Sequence, residues 1–298
     1  MTIGKLGVWA TTDGLSAAAA AAFAQRVEGW GYGALWMPEA FGRNVLVHSA
    51  WLLANTHHLV VASGIANIYA RDALACQAAQ YGLAEQSAGR FLLGLGVSHV
   101  PLVEGLHGQT YRPPIATMRG YLEAMARASY GAPPPADKPK TVIAALGPKM
   151  LQLAADLADG AHPYNVTPEH TRQARDILGP DKLLCVEQMV LLESDAATAR
   201  HIGRQTLAMY LTLPNYRNNW LRLGFTADDC DHGGSDRLID AMVAWGDQED
   251  IRNRIQQHWD AGADHVCIQS LSHTGGALAS PGEKILALLA PAGTARKS

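Results

Sequence analysis

Short apolar segments alternate with longer segments of helical periodicity along most of the chain. The apolar segments span residues 5–10, 34–39, 59–66, 91–98, 141–146, 160–165, 183–194 and 264–271. The helical segments span residues 16–31, 44–56, 71–89, 117–131, 147–158, 167–179, 195–213 and 248–263. The first helical segment has a capping residue at Ser16 and a helix-ending residue at Gly31. The pattern therefore predicts eight strands that alternate with helices.

The predicted strands are almost continuously apolar, which is typical of a parallel sheet covered by helices on both faces. Eight such units in a chain of 298 residues favour an α/β fold of the TIM (β/α)8 barrel type, and a doubly wound open sheet is the alternative. We expect a single domain over residues 1–298, with a helical insertion at about 214–246. Residues 131–140, GAPPPADKPK, resemble a linker but bring no change of periodicity.

Composition and charge narrow the classes of partner. The formal net charge is −3 at pH 7 and 48% of the residues are hydrophobic, so the sequence shows no basic footprint for nucleic acid and can bury a large core. No apolar run approaches the roughly 18 residues of a membrane span, and residues 1–12 lack a signal-peptide pattern. We therefore expect a small-molecule substrate, no nucleic acid or membrane partner, and a cytoplasmic location. The 4 cysteines are widely spaced and are expected to be reduced thiols.

Residues near the predicted strand ends form the candidate site, because the carboxyl ends of the strands in such a barrel meet at one face. The candidate binding residues are Ser63, Gly64, Ile65, Asn67, Gly96, Ser98, Ala145, Leu146, Gly147, Pro148, Lys149, His162 and Tyr164. His99 follows the fourth strand, where an imidazole is either an ionisable group at the barrel mouth or a strand cap. Glu39 follows the second strand, and is either a solvated loop residue or a carboxylate that faces the substrate or orients His99.

Glycine positions indicate where a ligand could approach the backbone. Gly94 and Gly96 remove side chains from one face of the fourth strand, which indicates that something flat or bulky, such as a planar ring, lies against that face. Gly147 and Pro148 stand where the fifth strand turns into a helix. A helix N-terminus of this kind attracts anions, and Lys149 adds positive charge. The alternative is an ordinary turn between a strand and a helix.

Two other motifs do not predict a binding site. Residues 229–236, DCDHGGSD, contain metal-ligating side chains, but a short polar glycine-rich run is typical of a loop, and we expect no metal site. The stretch GLGVS lacks the G-x-G-x-x-G spacing of a dinucleotide fingerprint.

Four segments together resemble a known family. Residues 64–72, 89–99, 145–150 and 159–171 are similar, in this order, to segments of the luciferase-like monooxygenase superfamily, in its branch of oxidoreductases that depend on the deazaflavin coenzyme F420. The resemblance implies a TIM barrel with a late insertion, F420 bound at the barrel mouth, and often a homodimer. It also implies a cis peptide bond between Gly64 and Ile65, against the tricyclic ring of the cofactor.

The resemblance further implies hydride transfer between F420 and a small organic substrate, with an acid or base for the substrate proton. Glu39 matches a carboxylate used near the substrate, and His99 stands where sugar-phosphate-oxidising members have a glutamate. Those members also have a histidine and a tryptophan where this sequence has Ala40 and Asn44. A sugar phosphate is therefore not the expected substrate. An FMN-dependent monooxygenase and a cofactor-binding barrel without turnover are the alternatives.

Overall fold

Eight parallel strands close into a barrel in the computed structural model, which describes residues 2–272 and 282–291. The described residues form ten strands in all, of which β4 and β9 are additional to the eight of the barrel: β1 Leu6–Trp9, β2 Ala34–Met37, β3 Val60–Ser63, β4 Ala66–Asn67, β5 Phe91–Gly96, β6 Thr141–Ile143, β7 Gly160–Ala161, β8 Leu183–Leu192, β9 Val243–Gly246 and β10 His265–Ser270. The barrel order is β10-β1-β2-β3-β5-β6-β7-β8, and β8 pairs with β10. The predicted barrel is confirmed, and the open sheet is excluded.

Helices surround this barrel. They are α1 Ala17–Gly29, α2 Val45–Ala54, α3 Ala73–Gln86, α4 Pro114–Arg127, α5 Pro148–Leu157, α6 Pro168–Leu178, α7 Ala196–Leu207, α8 Pro214–Arg222, α9 Ala227–Cys230, α10 Asp236–Met242, α11 Gln248–Asp260 and α12 Glu283–Leu289. A π-helix spans Pro101–Leu106, and a 3₁₀ helix spans Tyr210–Thr212. The Ser16 side chain caps α1 by accepting the N–H of Ala19, as predicted, and Gly31 follows the helix end with φ +85°.

Burial on both faces explains why the strand sequences are so uniformly apolar. All four residues of β1, β2 and β3 are buried. One apolar cluster fills the barrel interior and includes Trp9, Trp36 and Leu92. A second cluster, with Phe23 and Leu93 among its members, lies between the strands and the surrounding helices. Parallel strands of this kind are stable only when both faces are covered, as they are here.

The segment between α7 and α11 is helical, with one exception. Helices α8, α9 and α10 form over residues 214–242, but residues 243–246 form the strand β9. This strand pairs with Met189–Leu192 at the end of β8. β7 ends after two residues, so the far end of β8 has a free edge that β9 occupies. The apolar run Val243–Gly246 therefore completes the sheet rather than continuing the helical insertion.

Gly94 and Gly96 make room for the protein's own third strand, and our prediction that they admit a planar ring was wrong. A Cβ on Gly94 would lie 2.0 Å from the Ser63 carbonyl oxygen, and one on Gly96 would lie 2.5 Å from the Ile65 side chain. The Ser63 hydroxyl also forms two hydrogen bonds with Gly94: it donates to the Gly94 carbonyl at 2.8 Å and accepts the Gly94 backbone N–H at 2.9 Å. The two strands are therefore in direct contact where β3 bends.

We expect Gly94→Ala to destabilise the fold by about 3 kcal/mol or more, because the added methyl group overlaps backbone that cannot move aside easily. Gly120→Ala is the matched control. Gly120 lies in α4 with no atom within 4 Å of its added Cβ, so this change should stabilise the helix by about 0.5–1 kcal/mol. Urea unfolding followed by circular dichroism measures both. Equal stabilities of Gly94→Ala and the parent would contradict the packing argument.

Candidate active site

A cavity of about 620 Å³ opens at the carboxyl ends of the strands. Twelve of the predicted site residues line it: Glu39, Gly64, Ile65, Ser98, His99, Ala145, Leu146, Gly147, Pro148, Lys149, His162 and Tyr164. Ser63, Asn67 and Gly96 do not line it; they are buried, and their polar groups and backbone hold the strands around the cavity. Most of the residues predicted from the strand ends therefore line the cavity, although they make up less than half of its lining.

The third strand bends into the cavity at Gly64 and Ile65, and the peptide bond between them is cis, as expected. The Trp9 indole donates to the Gly64 carbonyl at 3.0 Å, and the Glu39 amide donates to the Ile65 carbonyl at 3.2 Å. Neighbouring strands β1 and β2 therefore hold both carbonyl groups of the bend, and Ile65 lines the cavity.

His99 stands at the cavity wall just before the π-helix. Its backbone carbonyl accepts the N–H groups of Leu102 and Val103, both at 3.0 Å. Its ring lies beside that of Tyr216, with 5.8 Å between ring centroids. Burial lowers the pKa of His99 below its ordinary value, so the imidazole is neutral near pH 7. A neutral imidazole can accept a proton from a bound substrate.

Glu39 lines the cavity but is already engaged. Its carboxylate forms an ion pair with Arg71, and both side chains are about 10% exposed. The same carboxylate accepts the backbone N–H groups of Asn67 at 2.9 Å and Val45 at 3.3 Å. Among the described residues no hydrogen bond joins Glu39 to His99. The predicted orienting role is therefore unsupported, and Glu39 positions the loops that follow β2 and β3.

The N-terminus of α5 lies at the cavity wall and carries two cations that have no carboxylate partner in the described chain. Gly147 precedes the helix without a side-chain cap, and Pro148 occupies the first turn. Lys149 and Arg222 line this end, and a Cβ on Gly147 would lie 3.3 Å from the Arg222 guanidinium. Within residues 2–272 and 282–291, the guanidinium donates only to the Asn219 side chain, at 3.2 Å. This end of the cavity is suited to an anion.

Aromatic side chains form another part of the cavity wall. The Tyr164 hydroxyl donates to the Gln269 side chain at 2.8 Å and lies 3.0 Å from the Tyr210 hydroxyl. The Tyr164 ring packs against that of Trp9, with 5.4 Å between ring centroids. His162 also lines the cavity, and its Nδ1–H donates to the Cys185 carbonyl at 2.8 Å. Burial lowers the pKa of His162 to about 4. A planar ligand can pack on such a wall.

Several lining residues were not predicted from the sequence. Trp9 is the last residue of the first strand and Thr11 follows it, so the same strand-end argument would have found them. Tyr216 and Arg222 come from the insertion, and Tyr210 comes from the 3₁₀ helix just before it. The helical periodicity of this region does not show where it folds back over the barrel. The insertion closes one side of the barrel mouth, which only the three-dimensional structure shows.

A sequence profile of the luciferase-like monooxygenase family matches residues 1–265. The chain belongs to this family. The resemblance expected from the four segments is therefore confirmed, and so is enzymatic oxidoreductase chemistry as the class of function.

Two curated relatives of this luciferase-like protein extend over most of its length. A Mycobacterium tuberculosis protein described as a coenzyme F420-dependent oxidoreductase is 25% identical, and the match covers 86% of this chain and 91% of the relative. A 5,10-methylenetetrahydromethanopterin reductase of Methanolobus tindarius is 24% identical over 82% of this chain and 87% of its own.

Solved structures share the fold. The coenzyme F420-dependent tetrahydromethanopterin reductase of Methanopyrus kandleri has a TM-score of 0.76 at 16% identity, with 96% of this chain and 97% of that chain covered. An F420-dependent secondary alcohol dehydrogenase, bound to an F420–acetone adduct, has a TM-score of 0.73 at 13% identity, covering 96% and 99%. An FMN-bound diketocamphane monooxygenase from Pseudomonas putida has a TM-score of 0.68 at 13% identity, covering 97% of both chains.

The described residues, 2–272 and 282–291, contain no group of three or more histidine, cysteine, aspartate or glutamate side chains arranged to hold a metal ion. None of their helices is both long enough and apolar enough to cross a membrane.

Proposed function

We propose that this protein is an F420-dependent oxidoreductase that transfers a hydride between F420 and a small organic substrate. The observation that carries the proposal is a cavity with an anion-binding end, at Gly147, Lys149 and Arg222, and an aromatic wall beside the bend at Gly64 and Ile65. The relative from Mycobacterium tuberculosis is described as F420-dependent, which favours F420 over FMN.

The residues present fit such a cofactor. The uncapped N-terminus of α5 and the guanidinium of Arg222, which has no carboxylate partner among the described residues, suit its phosphate. The Tyr164 and Trp9 rings, with the Ile65 side chain, offer an apolar surface for a flat ring. When bound, the deazaflavin supplies or accepts a hydride, and the protein supplies orientation and a place for the proton.

His99 is the residue that we assign to the substrate proton. Because its pKa is lowered by burial, the neutral imidazole accepts a proton from an alcohol during oxidation. In the reverse direction the protonated imidazole donates, so reduction should become faster as the pH falls toward the pKa of His99. Tyr216 packs against the ring and limits its orientation. Glu39 and Arg71 hold the surrounding loops and exclude water from this side of the cavity.

Cofactor affinity tests the proposal. We expect F420 to quench tryptophan fluorescence with a dissociation constant in the micromolar range or tighter, and FMN to bind at least about tenfold more weakly. Arg222→Ala should weaken F420 binding by about tenfold or more, because a charge-assisted hydrogen bond to phosphate is lost. Arg172→Ala, an exposed arginine of α6 outside the cavity, is the control. Tighter binding of FMN than of F420, with reoxidation by oxygen, would support the monooxygenase alternative.

We also propose a homodimer, which the apolar surface of two neighbouring helices supports. Val47 and Trp51 lie on one face of α2 and are 72% and 44% exposed, and Leu74 of α3 is 60% exposed. The helices α2 and α3 pack side by side. Exposed apolar residues grouped on adjacent helices are typical of a protein interface.

Light scattering measures this assembly. The protein should elute with twice the chain mass of 31.8 kDa, and the double variant Val47→Asp/Leu74→Asp should elute as a monomer. Leu157→Asp, at the exposed end of α5, is the control and should remain a dimer. A parent protein that is monomeric at micromolar concentration would contradict the homodimer.

The remaining expectations follow the same proposal. We place the enzyme in the cytoplasm, which the four buried, unpaired cysteines support. We treat residues 1–298 as a single catalytic domain, because the insertion helix α8 lines the barrel cavity rather than a site of its own.

A further inference from the structure

We infer that the substrate is an uncharged and largely apolar carbonyl compound, or the corresponding alcohol. This inference rests on the proposed hydride transfer and adds the class of substrate. It follows from two observations: the side chains around His99 are apolar, and the charged groups of the cavity already have partners or lie where we place the cofactor phosphate.

The wall on the His99 side of the cavity is apolar. Leu102 lies on the π-helix that follows His99, and Tyr111 and Ile115 come from the segment after that helix. Phe41 comes from the loop after β2. Tyr111 stacks on Tyr69, with 5.9 Å between ring centroids, which fixes its position. A ligand buried here exchanges water for aromatic and aliphatic contacts, so apolar surface favours binding.

Charged groups near this wall are unavailable to a charged substrate. The Arg71 guanidinium is paired with Glu39, and the carboxylate also accepts two backbone N–H groups. Lys149 and Arg222 lie at the N-terminus of α5, where we place the cofactor phosphate. The other carboxylate of the lining, that of Asp13, accepts the Arg43 backbone N–H at 3.2 Å. A carboxylate, phosphate or ammonium group on the substrate would therefore be desolvated without an unengaged group of opposite charge to pair with it.

The reaction needs one polar group on the substrate, and His99 is placed to meet it. A ketone here gains one hydride at carbon and one proton at oxygen and becomes a secondary alcohol. The reduced deazaflavin that supplies the hydride is oxidised by two electrons. His99 supplies the proton from its protonated form and regains it from solvent. In the opposite direction the alcohol loses the same hydride and proton.

Three ketones that differ mainly in charge test the inference on the F420-loaded enzyme. They are methyl 4-acetylbenzoate, 4-acetylbenzoate and 4-acetylbenzylamine, which are uncharged, negative and positive at pH 7. We expect the uncharged ester to bind, and to oxidise reduced F420 with a kcat/KM at least about a hundredfold above both charged ketones. A carboxylate or ammonium ketone that matches the ester would overturn the inference.

A charge introduced at the wall provides the matched experiment. Ile115→Arg should raise the relative affinity for 4-acetylbenzoate over the ester by about tenfold or more, because the new guanidinium pairs with the carboxylate. Val100→Arg is the control, since Val100 is exposed and does not line the cavity. An equal effect of both variants would overturn the assigned wall.

Measuring ketone binding and ketone turnover separately distinguishes a failure of the inferred substrate class from a failure of the proposed hydride transfer. Ester binding that quenches the holoenzyme's fluorescence, without any oxidation of reduced F420, would support the substrate class and reject the reaction. Failure of all three ketones to bind while F420 binds normally would overturn the substrate class and leave the cofactor assignment standing.

Discussion

His99→Ala should lower turnover by at least about tenfold and by as much as 10²- to 10⁴-fold, while the affinity for F420 changes little. The imidazole stands beside Tyr216 at the cavity wall and is not one of the cations that we assign to the cofactor phosphate, Lys149 and Arg222. Its removal takes away the group that moves the substrate proton and leaves the cofactor contacts in place. Steady-state kinetics with methyl 4-acetylbenzoate and fluorescence titration with F420 measure the two effects separately.

Two further variants define what the His99 result means. His107→Ala changes a histidine at the end of the same π-helix that does not line the cavity, and it should retain normal turnover. Glu39→Gln should reduce turnover less than His99→Ala, because the amide still accepts backbone N–H groups although it loses the charge facing Arg71. If His99→Ala kept full turnover and lost F420 binding, His99 would be part of the cofactor wall.

The pH dependence should separate the two directions of the reaction. Because burial lowers the pKa of His99, the imidazole is neutral over the physiological range. Alcohol oxidation should therefore be constant above that pKa and fall below it, whereas ketone reduction should rise as the pH falls. His99→Ala should remove this part of both profiles.

The barrel was predictable because its strands obey one physical rule along the whole chain. A parallel strand buried on both faces is apolar throughout, and β1, β2 and β5 have this character. Residues at the carboxyl ends of such strands must meet, so Ile65, His99 and Tyr164 could be placed together without coordinates.

Interactions between distant segments could not be predicted in the same way. The sequence shows that Gly94 lacks a side chain, but only the structure shows that the Ser63 carbonyl occupies the space. Glu39 has the residue type of an acid or base, yet Arg71, 32 positions away, engages it. Arg222 comes from an insertion whose path over the barrel mouth depends on the packing of α8.

Acidification should destabilise the fold because five buried histidines are held neutral. Burial lowers the pKa of His258 to about 3 and lowers the pKa values of the other four to about 4; these are His48, His162, His170 and His265. His265 donates from Nδ1 to the Gly4 carbonyl at 2.7 Å and accepts the Trp36 indole N–H at 3.0 Å. Protonation of His265 would place two N–H groups against each other at Nε2.

The sign of the effect follows from which state binds more protons. An unfolded histidine has a pKa near 6.5, so between pH 6.5 and 4 the unfolded chain binds protons that the folded chain excludes, and stability falls with the pH. Each of the five histidines contributes a loss of about 2 kcal/mol between pH 7 and pH 5. Glu187 opposes them, because burial raises its pKa to about 8 and its folded form already holds a proton.

We therefore expect the free energy of unfolding to fall by about 7 kcal/mol between pH 7 and pH 5, a large part of the stability of a typical domain. Urea unfolding at pH 7, 6 and 5 measures this fall. Glu187→Gln should enlarge it, because the opposing group is removed. His258→Gln should reduce it by about 2 kcal/mol, although the variant is less stable at pH 7 because its contacts with Thr171 and Gln188 change. The two variants shift the pH dependence in opposite directions, which a general loss of packing would not do. A free energy of unfolding that stays constant from pH 7 to pH 5 would show that these histidines titrate alike in the folded and unfolded chains.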